Sequence, residues 1–386
     1  MPRPQFCRNP HCRYCYHPPP GWLVRNGTYS TLAHGQVQRY RCRNCGRGLS
    51  AQSESMFYYS KRRLDLAEIF SRLRGGSSMR DIGRELGCSR TAVATAMLRL
   101  ARQAMAAHVV LLSGAEPSHR VCFDGLLSAV ASHDYPSQIT TLGDCERELV
   151  LAMTHCITER GGTRTERQRR RIKRKRAVWT PAAGALTGSI SLLVNELSRF
   201  ASPPWLHIDT DEHPIYGRVI ASDLALRWYR ANRMLSVRRT PGSAPRTTEN
   251  PLFLVNYLDR MIRHRMKEHT RESIAIARSA TSQMHRMWIF AWDHNARQPR
   301  RVAGTDSRSR AEAAGLSPKL LARLHREFTT RRVSLRTVEV PESIRQVWTA
   351  ALDSPPVRWR VGQKSRGPSI PAFARLDLSL AHPHGQ

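Results

Sequence analysis

Cys7, Cys12, Cys15, Cys42 and Cys45, five of the nine cysteines in this 386-residue chain, fall within its first 45 residues. They cluster near the two ends of that stretch. Short loops such as Cys12-Arg-Tyr-Cys15 and Cys42-Arg-Asn-Cys45 bring two sulfurs to one ion, and zinc takes four such ligands in a tetrahedron. At the N-terminal end Cys7-x4-Cys12 is as feasible as Cys12-x2-Cys15, and His11 and His17 lie close by, so more donors are present than one zinc needs. No apolar leader precedes Cys7, and a chain this long does not need disulfide staples. The expectation is a structural zinc ribbon. Cys88, Cys122, Cys145 and Cys156 sit in apolar surroundings and read as plain buried thiols.

The second set of chemistry-bearing residues is acidic. His119-Arg-Val-Cys-Phe-Asp124-Gly reads as a short apolar strand ending on an acid, and Trp205-Leu-His-Ile-Asp-Thr-Asp211 reads the same way. Carboxylates delivered from strand ends can converge on divalent metal. Mg²⁺ takes oxygen ligands and keeps several waters, and a metal pair held by two or three carboxylates is suited to in-line attack at phosphorus. A lone Asp after a strand is more often a turn former or helix cap, which is the reading for Asp209. On a helix, Asn256, Asp259 and Arg263 share one face, placing an acid ahead of a phosphate-binding arginine. Glu272, beside Arg271, is the competing third acid, and Glu249 precedes the helix. His264 and His269 read as riders on a basic helix face.

The elements that must position these residues sit in a strongly basic chain. Lys and Arg total 62 against 30 Asp and Glu, a formal charge of +32, mostly from arginine. Such a charge calls for a polyanion, and arginine's planar fork suits phosphate and guanine edges. No apolar run reaches the ~20 residues needed to span a bilayer, so nucleic acid rather than membrane is the expected partner. Leu64, Leu66, Ala67, Ile69 and Phe70 predict an amphipathic helix stopping near Gly75-Gly76, with a second starting at Ser77-Ser78. Residues 79–98 read as a helix-turn-helix: Ile82 and Leu86 inward, Gly87 at the turn, Ser89 as cap, Val93, Met97 and Leu98 buried. Arg90, Thr91 and Thr95 then face outward toward a major groove. The run from Arg164 to Arg176, with Arg169, Arg170, Arg171, Lys173 and Arg174 at its centre, predicts a polybasic arm inserted between strands and gripping phosphates without sequence preference. Neither a P-loop nor a dinucleotide signature is present, which removes nucleotide-driven chemistry.

At these residues the chain resembles the DDE transposases of bacterial insertion sequences. Thr210-Asp211-Glu-His-Pro214-Ile-Tyr216 is similar to the segment holding the second catalytic aspartate, and Asp124 in Phe-Asp-Gly corresponds to the first. Asn250 to Arg260, followed by His269-Thr-Arg-Glu272, is similar to the helix supplying the third acid and the basic segment behind it. The stretch from Arg238 to Thr248 resembles the basic linker leading into that helix. The resemblance implies a multidomain α+β chain: a zinc ribbon over 1–55, a helix-turn-helix domain over 60–108, and an α/β RNase H-like catalytic domain with a mixed sheet over 118–300. A basic insertion would lie near 160–178, and a C-terminal extension of unassigned role over 301–386. It further implies two Mg²⁺ or Mn²⁺ ions and a triad of Asp124, Asp211 and Asp259. The partners would be double-stranded DNA, as terminal inverted repeats and target, and further copies of the chain assembled on it. The location would be cytoplasmic, on the bacterial nucleoid. The competing reading is a noncatalytic DNA-binding regulator built from the same N-terminal module.

Overall fold

A computed structural model describes residues 2–9, 11–197, 205–271, 273–300, 306–335 and 338–356. Near the N-terminus, β1 (Leu23–Thr31), β2 (Gly35–Cys42) and β3 (Gly48–Ser50) form an antiparallel three-stranded sheet. Its core is small: Trp22, Leu23 and Leu49 pack around buried cysteines. Three helices follow, α1 (Leu66–Arg74), α2 (Met79–Glu85) and α3 (Arg90–Gly114). Each starts where a short polar side chain satisfies the free amides of the first turn. Asp65 accepts from the amides of Ala67 and Glu68, Ser78 from Asp81, and Ser89 from Ala92. Because Asp65 is the cap, Leu64 lies outside α1. Gly87 turns between α2 and α3 with φ +59°, a conformation glycine adopts without a Cβ penalty.

The larger sheet is mixed. Strands β4 (Arg120–Val130), β5 (Ser132–Asp144) and β6 (Val150–Ile157) form an antiparallel meander, and β7 (Leu206–Asp211) and β8 (Leu235–Thr240) run parallel to β4. The order across the sheet is β6-β5-β4-β7-β8. Two helices, α4 (Glu166–Arg176) and α5 (Ala185–Leu197), lie between β6 and β7, then α6 (Pro214–Ser222) and α7 (Leu224–Ala231) between β7 and β8. After β8 come α8 (Phe253–Arg265), α9 (Ala280–Trp292), α10 (Arg310–Ala313), α11 (Pro318–Glu327) and α12 (Glu342–Trp348). Alternate residues of a strand face opposite sides. Val121 and Phe123 of β4 pack with α5 and α6, whereas Cys122 and Leu126 pack with α8 and α9. The sheet is therefore covered on both faces. No helix among the described residues is long and apolar enough to cross a membrane.

Several expectations shift in position. Asp124 stands in the middle of an eleven-residue strand rather than at its end. Residues beyond 300 join the interior: Leu335, Ile344, Val347 and Trp348 pack against α8 and α9, and Leu321, Leu324 and Phe328 pack with α1, α3 and Trp292. Helices α1, α2 and α3 thus share their core with C-terminal elements.

The basic run is a docked helix, not a loose arm. Asp134 at the start of β5 is almost fully buried and takes a two-pronged contact from Arg171 (2.7 Å to each oxygen), with Lys175 at 2.7 Å and Arg160 at 3.1 Å. Burial pushes the Asp134 carboxyl up, but Arg171 and Lys175 outweigh that and hold it well below the usual range. Ile172 is buried beneath α4, while Arg169, Arg170, Lys173 and Arg174 face solvent. Asp134→Ala should leave three cations facing each other without their anion and free the helix. Trypsin should then cut between Arg164 and Arg176 at least ~10-fold faster, since a loss of about 1.4 kcal/mol suffices for that.

Candidate functional site

Four of the five N-terminal cysteines meet. The sulfurs of Cys7, Cys12, Cys42 and Cys45 all lie within 4.8 Å of one another. Cys7 Sγ is 3.4 Å from Cys45 Sγ, and Cys12 Sγ is 3.8 Å from Cys42 Sγ. Four thiolates around zinc at 2.3 Å stand about 3.8 Å apart, so the quartet could bind a metal ion such as zinc. Cys15, although buried, is not one of the four; the Cys7-x4-Cys12 pair supplies the N-terminal half. His11 and His17 are outside the quartet as well. Burial pushes the Cys7 and Cys42 thiols up in the metal-free protein. Asn44 donates from Nδ2 to Cys12 Sγ at 3.1 Å, a contact that orients this sulfur.

The acids converge on the α8 face of the large sheet. In the parallel register of β4 and β7, Cys122 pairs with Asp209 and Phe123 with Thr210, so the next residues, Asp124 and Asp211, stand side by side on one face. Asp211 in turn pairs with Thr240 at the end of β8. Above them lies α8, whose Val255, Leu258 and Ile262 pack on Cys122, Leu126 and Ile139. Helical period places Asp259 on that same side.

Electrostatics shows the approach. Burial raises the Asp124 carboxyl to about 6, the Gly125 amide opposes this with a 2.7 Å hydrogen bond, and the charge of Asp211 raises it further. Burial raises Asp259 to about 7, and the charge of Asp124 adds to the rise. The Tyr216 phenol is also pushed up, first by burial and then by Asp124 and Asp211. The arrangement is more open than the cysteine quartet: among the described residues, only the quartet brings three or more such donors within 4.8 Å of one another. Glu272 lies outside the described residues. Glu249 is exposed and bonds to the neighbouring Thr248 at 2.6 Å.

Two arginines accompany the acids. Arg263, one turn beyond Asp259, is anchored to the His269 carbonyl at 2.6 Å and the Leu127 carbonyl at 3.2 Å. Arg246 lies in the loop joining β8 to α8, and its charge draws down both Asp124 and Asp259. Of the three arginines between Arg238 and Thr248, Arg238 and Arg239 belong to β8, so Arg246 is the one in the loop. The loop leaves the sheet at Thr240, beside Asp211, and enters the helix that carries Asp259.

Asp209 corrects the turn-former reading. It lies inside β7, fully buried, with Arg120 at 2.9 Å, Arg238 at 2.6 Å and His207 at 3.1 Å. Burial would raise its carboxyl, but Arg238 and Arg120 hold it below the usual range. This ion cluster pins β4, β7 and β8 together next to the acids. His269 is likewise not on an exposed basic face. It is buried with Nδ1 3.1 Å from Ser128 Oγ, and burial depresses it to about 3, whereas His264 is exposed.

Arg90, Thr91 and Thr95 are all exposed at the N-terminal end of α3, and the rest of that helix is largely buried. Arg90 borders a groove of about 310 Å³ whose other cations are Arg80, Lys267, Arg278 and Arg286. The turn between α1 and α2 and the end of α8 are in close contact there. A Cβ on Gly76 would overlap the carbonyl oxygen of Arg265. The buried carboxylate of Asp293 joins Arg74 of α1, at 3.0 Å, to Arg265 of α8, at 3.5 Å. No protein-family model and no curated protein matches the chain.

Proposed function

We propose that the chain is a DNA transposase of the DDE type, which binds the terminal repeats of an insertion sequence and carries out metal-dependent strand cleavage and strand transfer. The observation that carries this reading is that Asp124 and Asp211 stand side by side on the sheet face covered by α8, with Asp259 on that helix near enough for the charge of Asp124 to raise it. A three-stranded meander continued by two parallel strands, with helices on both faces, supports the RNase H-like assignment.

Half-buried carboxylates such as Asp124, raised by burial and by Asp211, and Asp259, raised by burial and by Asp124, are poised to take up cations, because a divalent ion relieves both repulsion and desolvation. The donor set is all oxygen, which fits Mg²⁺ or Mn²⁺, and an open set leaves room for the waters Mg²⁺ retains. When bound, such ions would activate the attacking oxygen and stabilise the leaving one in displacement at phosphorus. Asp124 and Asp211 would hold them from adjacent strands and Asp259 from α8. Arg246 and Arg263 would fix the phosphate that brings the reacting strand to this face, and the Asp209 ion cluster keeps β4, β7 and β8 in register. Nicking of a plasmid carrying the ends of the encoding element, in Mg²⁺ but not in EDTA, is the expected result. The wider spacing of the acids relative to the cysteines favours the second reading, a noncatalytic regulator, which would bind these ends and never nick them.

Arg90, Thr91 and Thr95 would read base edges, while α4 grips phosphate. Arg90→Ala should therefore reduce preference for the cognate ends over random duplex by about 1–3 kcal/mol. Replacing Arg169, Arg170, Lys173 and Arg174 by alanine should instead weaken all duplexes alike and flatten the salt dependence by roughly one unit of slope for each phosphate no longer neutralised. Titrations over a range of salt separate the two effects, and equal weakening on both duplexes from Arg90→Ala would reject the helix assignment.

A further inference from the structure

The open side of the N-terminal sheet holds a cavity of about 610 Å³ that plays no part in the metal quartet or the acid site. Tyr29, Tyr40, Tyr58 and Tyr59 form one part of its lining, and Arg39 and Arg47 another. The rings are already ordered for stacking. Tyr58 and Tyr59 are stacked, with centroids 4.2 Å apart and 24° between planes. The guanidinium of Arg8 stands 5.2 Å from the Tyr58 ring centre, and that of Arg332 5.7 Å. Arg8 is in turn fixed by Glu54 at 3.0 Å. This makes a column of cation, ring and ring that ends on Tyr59, which is 65% exposed. Arg39 lies 5.0 Å from the Tyr29 ring centre, and Tyr29 is held by its hydroxyl to Gln52 at 3.1 Å.

Tyr59 also carries backbone strain, with φ +55°, a region that large side chains rarely occupy. A large ring left exposed on a strained backbone, at the end of an ordered stack, offers its outer face to a partner. Planar rings beside arginines suit a planar group joined to phosphate. In a duplex, interior bases have both faces covered by their neighbours, so only an unpaired base offers a face to stack on tyrosine.

We propose that this cavity binds single-stranded DNA, stacking an unpaired base on Tyr59 while Arg39 and Arg47 hold the adjoining phosphates. The site is separate from the exposed end of α3 and from the acids, and does not depend on the chain being a nuclease or transposase. It gives the ribbon a task that a metal knuckle alone does not: holding a strand that has left the duplex.

The test uses the full-length zinc-loaded protein and a fluorescent oligothymidylate, with a blunt duplex of equal length and an abasic oligonucleotide for comparison. Salt is kept near ~0.2 M to suppress binding by phosphate alone. Tyr59→Asn removes the ring yet suits a positive φ, and zinc content and melting temperature report that the ribbon remains folded. Its affinity for oligothymidylate should fall about tenfold, with duplex affinity unchanged, and Tyr59→Phe should bind as the parent does. Light-induced crosslinking of an oligonucleotide bearing 5-iodouracil should label the peptide containing Tyr59. Unchanged oligothymidylate binding by Tyr59→Asn, equal weakening on duplex and single strand, or an abasic strand that binds as tightly as oligothymidylate would each overturn the proposal.

Discussion

Asp124→Asn should abolish Mg²⁺-dependent strand cleavage, lowering its rate by several orders of magnitude, while binding to the terminal repeats survives. The substitution keeps the shape of the side chain but removes a charged oxygen from the set facing Asp211 and Asp259. Binding survives because Arg90 and its neighbours lie on another element, at the end of α3. Stability should move the other way. Asp124 and Asp259 have folded-state values raised to about 6 and about 7, above the ordinary value of 3.8. Between those limits the folded protein binds more protons than the unfolded chain, so stability without metal falls as pH rises from about 4 to 7. Asp124→Asn or Asp259→Asn should flatten that decline, raising stability in EDTA at neutral pH by on the order of 1–3 kcal/mol. Adding Mg²⁺ should stabilise the parent and not the variants. The third acid is settled by comparing Asp259→Asn with Glu272→Gln in the same cleavage assay. Full cleavage by the Asp124→Asn protein would remove the catalytic proposal and leave the regulator.

The contrast between what the sequence discloses and what it conceals follows from the range of the interactions involved. Caps at Ser78 and Ser89 and the turn at Gly87 are local, each decided within a few residues, and they are legible. The face shared by Asn256, Asp259 and Arg263 is fixed by helical period, so the approach of Asp259 to the sheet can be anticipated. Strand β5 cannot. Ser132–Asp144 contains Pro136 and buries Ser137, Thr140 and Thr141, so it shows no apolar alternation and carries a residue that argues against an interior strand. It is held by neighbours on both sides, which no local pattern records. Asp209 and His269 mislead for the same reason: their partners Arg120, Arg238 and Ser128 are distant in sequence. Arg246 is hidden differently: it is the single arginine of the loop after β8, and only the folded chain brings its charge to Asp124 and Asp259.

Replacing Cys42 and Cys45 together with serine should release close to one equivalent of zinc and unfold the ribbon, with little effect on the large sheet. The small core around Trp22, Leu23 and Leu49 is arranged about the cysteines and has little other apolar support. Structural zinc contributes its binding energy directly to folding, on the order of 10 kcal/mol or more in small modules. The rest of the protein has separate cores, including the sheet and helices around Trp288. Its links to the ribbon include the bridge between Ser55 and Arg331, the hydrogen bond from the Met56 amide to the Thr330 carbonyl at 3.1 Å, and the ring contact of His34 with Phe57. Loss of the ribbon should therefore appear as an early, separate melting step, and the main transition should hold its position. Cys15→Ser is the internal control, because the quartet is complete without it and zinc content should stay near one. Acid should act like the double variant. Burial already favours the thiols of Cys7 and Cys42 over their thiolates, and zinc binding requires their protons to leave, so affinity should fall as pH falls. Metal analysis that finds no zinc in the parent, or that finds it lost from Cys15→Ser as readily as from the double variant, would reject the quartet as the binding site.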